Sequence, residues 1–310
     1  MINVIKKLNF KKKKTSSNIS RELGVSSQTL KKHLKEMKNN NIVNHFTINI
    51  HPRIEPNLRY VLLEIKTNPN EPKLVENLLQ IPQLRMLDGI FGEFSLIALF
   101  VFRGSEEFNK VLAIIDKTMA NSYFKKYKIS EIIRIYKTNG IKLSEVKITK
   151  KKLDNYDFWL LKILQDNQEM KLLSTYEISK ILKSRENIEL SQSTVYNRIK
   201  ALEDSGVILN YCINFNPKKI GIEGKYIVRI KPKDPSKYKE LALRLEKNPF
   251  ITDLFRIGEQ YGLFAIVRVL AIQDYGDFIK KLYKEEIEDT FTNFILDELV
   301  NYTNFILNHN

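Results

Sequence analysis

The chain is predicted to adopt an α+β fold, with two winged helix-turn-helix units and two ferredoxin-like β-α-β-β-α-β domains in tandem. Three observations lead there. Residues 26–52, SSQTLKKHLKEMKNNNIVNHFTINIHP, return 165 positions later as residues 191–217, SQSTVYNRIKALEDSGVILNYCINFNP. Both segments close alike, on Ile48-Asn49 with Pro52 and on Ile213-Asn214 with Pro217. Behind each lies the same succession of apolar strand and helix patterns, in which Gly92-Glu93 recurs as Gly258-Glu259, 166 positions on.

In the first helical unit, Ser16 or Ser17 can cap a helix whose inward positions are Ile19 and Leu23, and Gly24 ends it. Ser26 or Ser27 starts a second helix with Leu30, Leu34 and Met37 inward at i, i+4, i+7. Two short helices joined by a glycine turn make a helix-turn-helix, whose second helix enters the major groove of DNA. Its outward residues Ser27, Gln28, Thr29, Lys31, Lys32 and Lys35 suit that task. Gln and Ser/Thr bond base edges, and lysines neutralise phosphates. The alternating stretch HFTINI reads as a strand or wing.

Residues 59–66, RYVLLEIK, read as the first strand of the next unit. A helix with Leu74 and Leu78, Val75 and Leu79 paired at i+4 comes next. LRMLDGIF and FSLIALFVF are two strands. A helix with Phe108, Val111, Leu112, Ile115 and Met119 inward precedes the last strand, ISEIIRIYK.

The second copy begins with LDNYDFWLLKILQDN, which puts Trp159 or Leu160, Ile163 and Leu164 on one face. Ser174 and Glu177 form a capping-box signature ahead of Ile178 and Leu182. The helix over SQSTVYNRIKALE then buries Val195, Ile199 and Leu202. It presents Gln192, Ser193, Thr194, Tyr196, Asn197, Arg198 and Lys200 as candidate DNA contacts. Six extra residues between Ser179 and Ser191 replace the tight glycine turn. KYIVRIK, a helix with Tyr238, Leu241, Ala242 and Leu245, DLFRI, GLFAIVRV, a helix with Phe278 and Leu282, and NFILDELV repeat the strand-helix order. The implied boundaries are 1–54 and 153–220 for the heads, 55–139 and 221–310 for the ferredoxin-like domains, and 140–152 for a linker.

Composition narrows the function. The 310 residues are 43% apolar, enough for more than one core, and the net charge of +15 suggests a polyanionic partner. The excess is concentrated in residues 1–50, where eleven Lys or Arg face only Glu22 and Glu36, whereas residues 150–220 hold twelve basic residues against nine acidic. The single cysteine, Cys212, excludes a disulfide framework and a cysteine-rich zinc site, and in YCINF it reads as packing. No run is long and apolar enough to span a membrane, and MINVIKKLNFKKKK has its charges in the wrong order for a secretory signal. A cytoplasmic protein is therefore expected.

L-D-x-x-D followed by LLKILQDN, then STVYNRIKALEDSGVI, and later a G-x-x-Y-G-L-F strand pair resemble the leucine-responsive/asparagine (Lrp/AsnC) transcription regulators. The resemblance covers residues 150–215 and 224–305, and more weakly 15–138. It implies a winged helix-turn-helix ahead of a ferredoxin-like domain that dimerises and often binds amino acids. A tandem chain then implies a built-in pseudo-dimer, two reading heads on one polypeptide. The implied partners are double-stranded DNA, a small effector such as an amino acid, and further copies in a homo-oligomer of pseudo-dimers. The effector turn would involve Gly258, Tyr261 and Gly262. The acid that would meet an amino group is missing, since Gly262 follows Tyr261 and Ser95 follows Phe94.

No catalytic motif, cofactor or metal site is expected. His33, His45, His51 and His309 lack cysteine or paired carboxylate neighbours, and there is no G-x-x-x-x-G-K, G-x-S-x-G or H-E-x-x-H. One enzyme alternative is a sirohaem decarboxylase of the same architecture, which implies histidine and arginine in the ferredoxin-like pocket. Residues 224–305 contain no histidine, and Arg229, Arg244, Arg256 and Arg268 are spread over strands and one helix. A second alternative is an architectural DNA coater of weak sequence preference.

Overall fold

The computed structural model describes residues 2–68, 71–149, 152–166 and 172–307. His309 lies outside them. In chain order the first half contains α1 (Ile2–Lys7), α2 (Ser16–Leu23), α3 (Ser27–Asn39), β1 (Val43–Ile50), β2 (Leu58–Ile65), α4 (Pro72–Leu79), β3 (Leu84–Ile90), β4 (Leu96–Arg103), α5 (Gly104–Ala120), β5 (Tyr127–Thr138) and β6 (Ile141–Lys142). The second half contains α6 (Asn155–Gln165), α7 (Thr175–Glu186), α8 (Gln192–Asp204), β7 (Ile208–Phe215), β8 (Gly224–Pro232), α9 (Tyr238–Leu245), β9 (Ile251–Ile257), β10 (Leu263–Val269), α10 (Ile272–Leu282) and β11 (Ile287–Glu298). The chain divides into two compact units. One gathers Met1–Ile54, Ser144–Gly221 and Tyr302–Leu307; the other joins Glu55–Leu143 to Ile222–Asn301. Each unit thus pools material from both halves. Residues 302–307 depart from the expected boundary at 221 by joining the helical unit.

In the helical unit, short polar residues fix the helix starts. Thr15, rather than Ser16 or Ser17, accepts from the Asn18 N–H, and Gly24 closes α2 at φ 70°. Ser26 accepts from the Thr29 N–H at 3.0 Å, and Ser191 from the Thr194 N–H at 3.1 Å. Asp154 with Asp157, and Ser174 with Glu177, form capping boxes at the starts of α6 and α7. Leu30, Leu34 and Met37 are buried along α3, as are Val195, Ile199 and Leu202 along α8.

The six extra residues resolve into two parts. α7 has 12 residues against 8 in α2. The link to the next helix runs from Asn187, in the left-handed region at φ 54°, to Ser191, where the first copy needs only Gly24 to Ser26. Neither part disturbs the cap or the buried face of α8.

Strands β1 and β7 pair antiparallel, with Phe46 opposite Ile213, Thr47 opposite Cys212 and Ile48 opposite Tyr211. The centre of this register, Thr47 and Cys212, joins two positions 165 residues apart. Thr303 bridges to Phe215, and the Phe305 ring packs edge-on against Phe215 at 5.1 Å. Buried between strands, the Cys212 thiol is pushed up to about 12, which fits packing.

The second unit has β-α-β-β-α-β order in both halves. Its strands run β2-β4-β3-β11-β8-β10-β9-β5, with β6 beyond, and β5 pairs back onto β2. Eight strands therefore form a closed ring, which leaves those strands no free edge. Strand alternation sorts the side chains. Val61, Leu63, Leu87 and Ala98 pack with α4 and α5 residues Leu74, Leu78, Val111 and Ile115. Val228, Ile230, Leu254 and Ala265 pack with Leu241, Leu245, Phe278 and Leu282. Between these layers, inside the ring, lie Leu62, Ile90, Ile97, Ile227, Phe255, Phe264 and Ile266. Leu79 departs from its expected inward position and is exposed. Buried charges share the ring interior: Arg229 bonds Glu64 at 2.6 Å, and Lys225 bridges Asp88 and Glu298.

Candidate nucleic-acid interface

The outward faces of α3 and α8 are the polar surfaces that the helical packing leaves over. On α3, Gln28, Lys31, Lys32, His33 and Lys35 are exposed. Lys32 stands 4.0 Å from Glu36, an exposed pair of little energetic weight. On α8, Gln192, Ser193, Tyr196, Asn197 and Lys200 are exposed.

Four hydroxyls expected to face DNA are engaged locally, among them Ser193 Oγ, 2.8 Å from the Ser191 hydroxyl. Ser27 Oγ lies 3.1 Å from Ser20 Oγ, tying α3 to α2. Thr29 Oγ1 and Thr194 Oγ1 lie 2.8 and 2.9 Å from the cap hydroxyls of Ser26 and Ser191.

Arg198 differs most from its expected role. Its guanidinium donates to Asp154 at 2.9 Å and to Asp157 at 3.0 Å, and it lies 5.1 Å from the centre of the Tyr156 ring. Asp157 is 1% exposed, so this is a clamp on a buried carboxylate. The two aspartates of L-D-x-x-D both cap α6 and hold α8. Spacing marked the helix start but gave no sign of an arginine partner some forty residues on.

The lysine run at residues 11–14, part of the basic excess, is partly engaged within the chain: Lys13 and Lys14 are half-buried, while Lys11 and Lys12 are exposed. Lys12 pairs with Asp204 at 3.2 Å, and Lys14 with Glu22 at 2.6 Å. The Lys13 N–H donates to Glu203 at 3.0 Å, and burial lowers the Lys13 ammonium to about 8 against the pull of Glu203 and Glu177. The run ties the N-terminal segment to the end of α8. On the outer face of α3 the exposed positive charge comes from Lys31, Lys32 and Lys35, with Lys11 and Arg21 exposed elsewhere in the first head.

In the second unit, Gly258, Tyr261 and Gly262 surround a filled turn. The Arg256 guanidinium stacks on Tyr238 at 3.8 Å and donates to the Gly262 carbonyl at 2.9 Å. A Cβ on Gly262 would fall 2.0 Å from Arg256 Nη1 and 2.6 Å from the Tyr238 ring, so a side chain there would displace the Arg256 guanidinium and the Tyr238 ring. The Gly262 N–H donates to Tyr238 Oη at 3.1 Å, and Tyr261 bonds Asp289. Arg256 thus fills the turn that the sequence offered as an effector site. The other candidate arginines are held too: Arg229 by Glu64, Arg268 by Glu298 at 2.6 Å, and Arg244 by Glu285 at 2.7 Å. Among the described residues no group of His, Cys, Asp and Glu could hold a metal, and no helix is long and apolar enough to cross a membrane.

Capped helical units with exposed polar faces, in one chain with β-α-β-β-α-β domains, define an α+β chain of the kind found in helix-turn-helix regulators. The Lrp/AsnC ligand binding domain family matches residues 226–305. The chain is 31% identical over 145 residues to the HTH-type transcriptional regulator FL11 of Pyrococcus furiosus, covering 46% of this chain and 89% of that protein. To the HTH-type transcriptional regulator Ptr1 of Methanocaldococcus jannaschii it is 30% identical, over 42% of this chain and 82% of that one. The chain belongs to the Lrp/AsnC family. Among solved structures, the sirohaem decarboxylase NirDL matches 96% of this chain and 90% of its own, with a TM-score of 0.62 at 14% identity, a likeness of fold alone.

Proposed function

We propose that the protein is a DNA-binding transcriptional regulator, a tandem duplication whose halves form an intrachain pseudo-dimer with two winged helix-turn-helix heads. The observation that supports this most directly is the pair of capped helices α3 and α8. Each buries one apolar face, and each exposes a polar one in a unit joined by β1 and β7. Lys31, Lys32 and Lys35 supply phosphate contacts, and Gln28, Gln192, Ser193, Asn197 and Lys200 reach for base edges and backbone. Arg198 serves as a positioning residue that sets the angle of α8. The heads differ in chemistry, so a non-palindromic operator is expected, with half-site centres about 34 Å apart if both engage one face of the duplex. The test is selection of binding sites from random DNA, with genome occupancy as the check in cells. Enrichment of no sequence would favour an architectural coater instead.

A sirohaem decarboxylase is the second reading, motivated by the whole-chain fold likeness to NirDL. Residues 224–305 offer no histidine, and their four arginines are committed to the partners named above. Turnover of sirohaem by the purified protein would establish this reading. As for an effector, Arg256 filling the turn at Gly262 speaks against an amino acid bound there in this conformation. Thermal-shift measurements with a panel of amino acids test it.

A further inference from the structure

We infer that the second unit selects unlike halves: its interior is built so that the first half accepts the second half and rejects another first half. The ring order places β2 and β8 opposite each other, four strands apart in either direction. Within them, Leu63-Glu64-Ile65-Lys66 and Val228-Arg229-Ile230-Lys231 occupy equivalent positions. Glu64 and Arg229, 165 residues apart, meet across the ring at 2.6 Å, with side chains 8% and 6% exposed. Asn293 accepts a further bond from Arg229, and the Phe264 and Phe291 rings flank its guanidinium at 5.5 and 5.6 Å.

Two first halves closing the same ring would bring Glu64 against Glu64, and two second halves would bring Arg229 against Arg229. A second cluster works in the same direction. Lys225 and Arg268 share Glu298 within the second half, and the remaining positive charge is met by Asp88 of the first half, itself 1% exposed. Lys128 of the first half also lies 3.7 Å from Glu64 and 2.7 Å from Glu259 of the second half. The first half thus brings Glu64 and Asp88 against Lys128, and the second half Arg229, Lys225 and Arg268 against Glu298 and Glu259, a net of −1 facing a net of +1. Like charges buried together disfavour a pairing, whereas a like pairing of neutral interiors would be tolerated.

The test uses full-length chains with different tags. Glu64→Arg leaves a chain with arginine at both positions, and Arg229→Glu leaves one with glutamate at both. Neither satisfies its own ring, nor that of a second copy of itself. Together they satisfy each other reciprocally, so co-expression of the two variants should give 1:1 mixed pairs by native mass spectrometry. Their yield should be roughly tenfold or more above that from two tagged unmodified chains. The chain bearing both changes should regain part of the thermal midpoint that each single change lowers, the rest being withheld because the reversal leaves Lys128 and Glu259 near like charges. Co-expression rescues the readout even where a single variant fails to fold alone. The inference is overturned if mixed pairs are no more abundant than with unmodified chains, or if the single variants match Glu64→Gln and Arg229→Gln in thermal midpoint.

Discussion

Arg198 of α8 donates to Asp157 of α6 at 3.0 Å, joining α8 to the first turn of the helix that opens the second head. A side chain so held sets geometry rather than sequence preference. Arg198→Ala should therefore lower stability by about 1–3 kcal/mol, because a buried carboxylate loses its partner. It should weaken all duplexes together while leaving the selected sequence unchanged. Asn197→Ala or Gln192→Ala should change the selected sequence, each at a cost of about 1–3 kcal/mol for the preferred base. A sequence preference that moves with Arg198 and not with Asn197 or Gln192 would return the reading role to the arginine.

Replacing Lys31, Lys32 and Lys35 by glutamine should flatten the slope of log K against log salt by roughly 2–3 units, since three phosphate contacts disappear. Titrations from low to moderate salt measure this directly. The same substitutions at Lys12 and Lys14 should move the slope less, because Asp204 and Glu22 already meet those charges. An equal effect from both sets would place the lysine run on the DNA.

Burial raises the Glu298 carboxyl, but Arg268 and Lys225 beside it outweigh that and hold it down to about 2. A carboxylate lower in the folded than in the unfolded chain stabilises above the ordinary value near 4.5, and that support is lost as pH falls toward 2. Glu298→Gln should therefore be less stable than the unmodified chain at neutral pH. Its thermal midpoint should also fall less steeply between pH 4.5 and 2. Parallel curves for the two proteins over that window would contradict the assignment.

Lys13 carries the opposite sign. Its folded value of about 8 lies below the ordinary 10.5, so burial of the ammonium costs stability at pH 7, and the cost is relieved as pH rises from 8 to 10.5. Lys13→Met should raise the thermal midpoint at pH 7, and the gain should vanish above pH 10.5. A gain that persisted at high pH would reflect packing by the methionine.

The repeat was legible because periodicity marks apolar faces, and α3 and α8 buried the residues that their spacing named. The succession of strands and helices in each ferredoxin-like half was readable for the same reason, whereas the closing of their strands into one ring was not. Partnership was not readable. Nothing in the spacing of Asp154, Asp157 and Arg198 says that they meet, and a run of four lysines carries no mark of the acids that receive it. The filling of the Gly262 turn by Arg256 was hidden likewise, since long side chains settle in three dimensions where local pattern is silent. The inward-facing Glu64 and Arg229 interrupt apolar strands, and that interruption was the one available sign of a buried pair.

The register of β1 on β7, centred on Thr47 and Cys212, joins segments of a single polypeptide. Separate subunits that pair before acting respond roughly as the square of their abundance when scarce, so a threshold stands between synthesis and effect. Strands tethered to one another meet at a local concentration set by the connecting chain, which dilution leaves unchanged. On the proposed two-headed reading, the heads would be complete at one molecule per cell, and their effect should scale with gene dosage from the first copy upward.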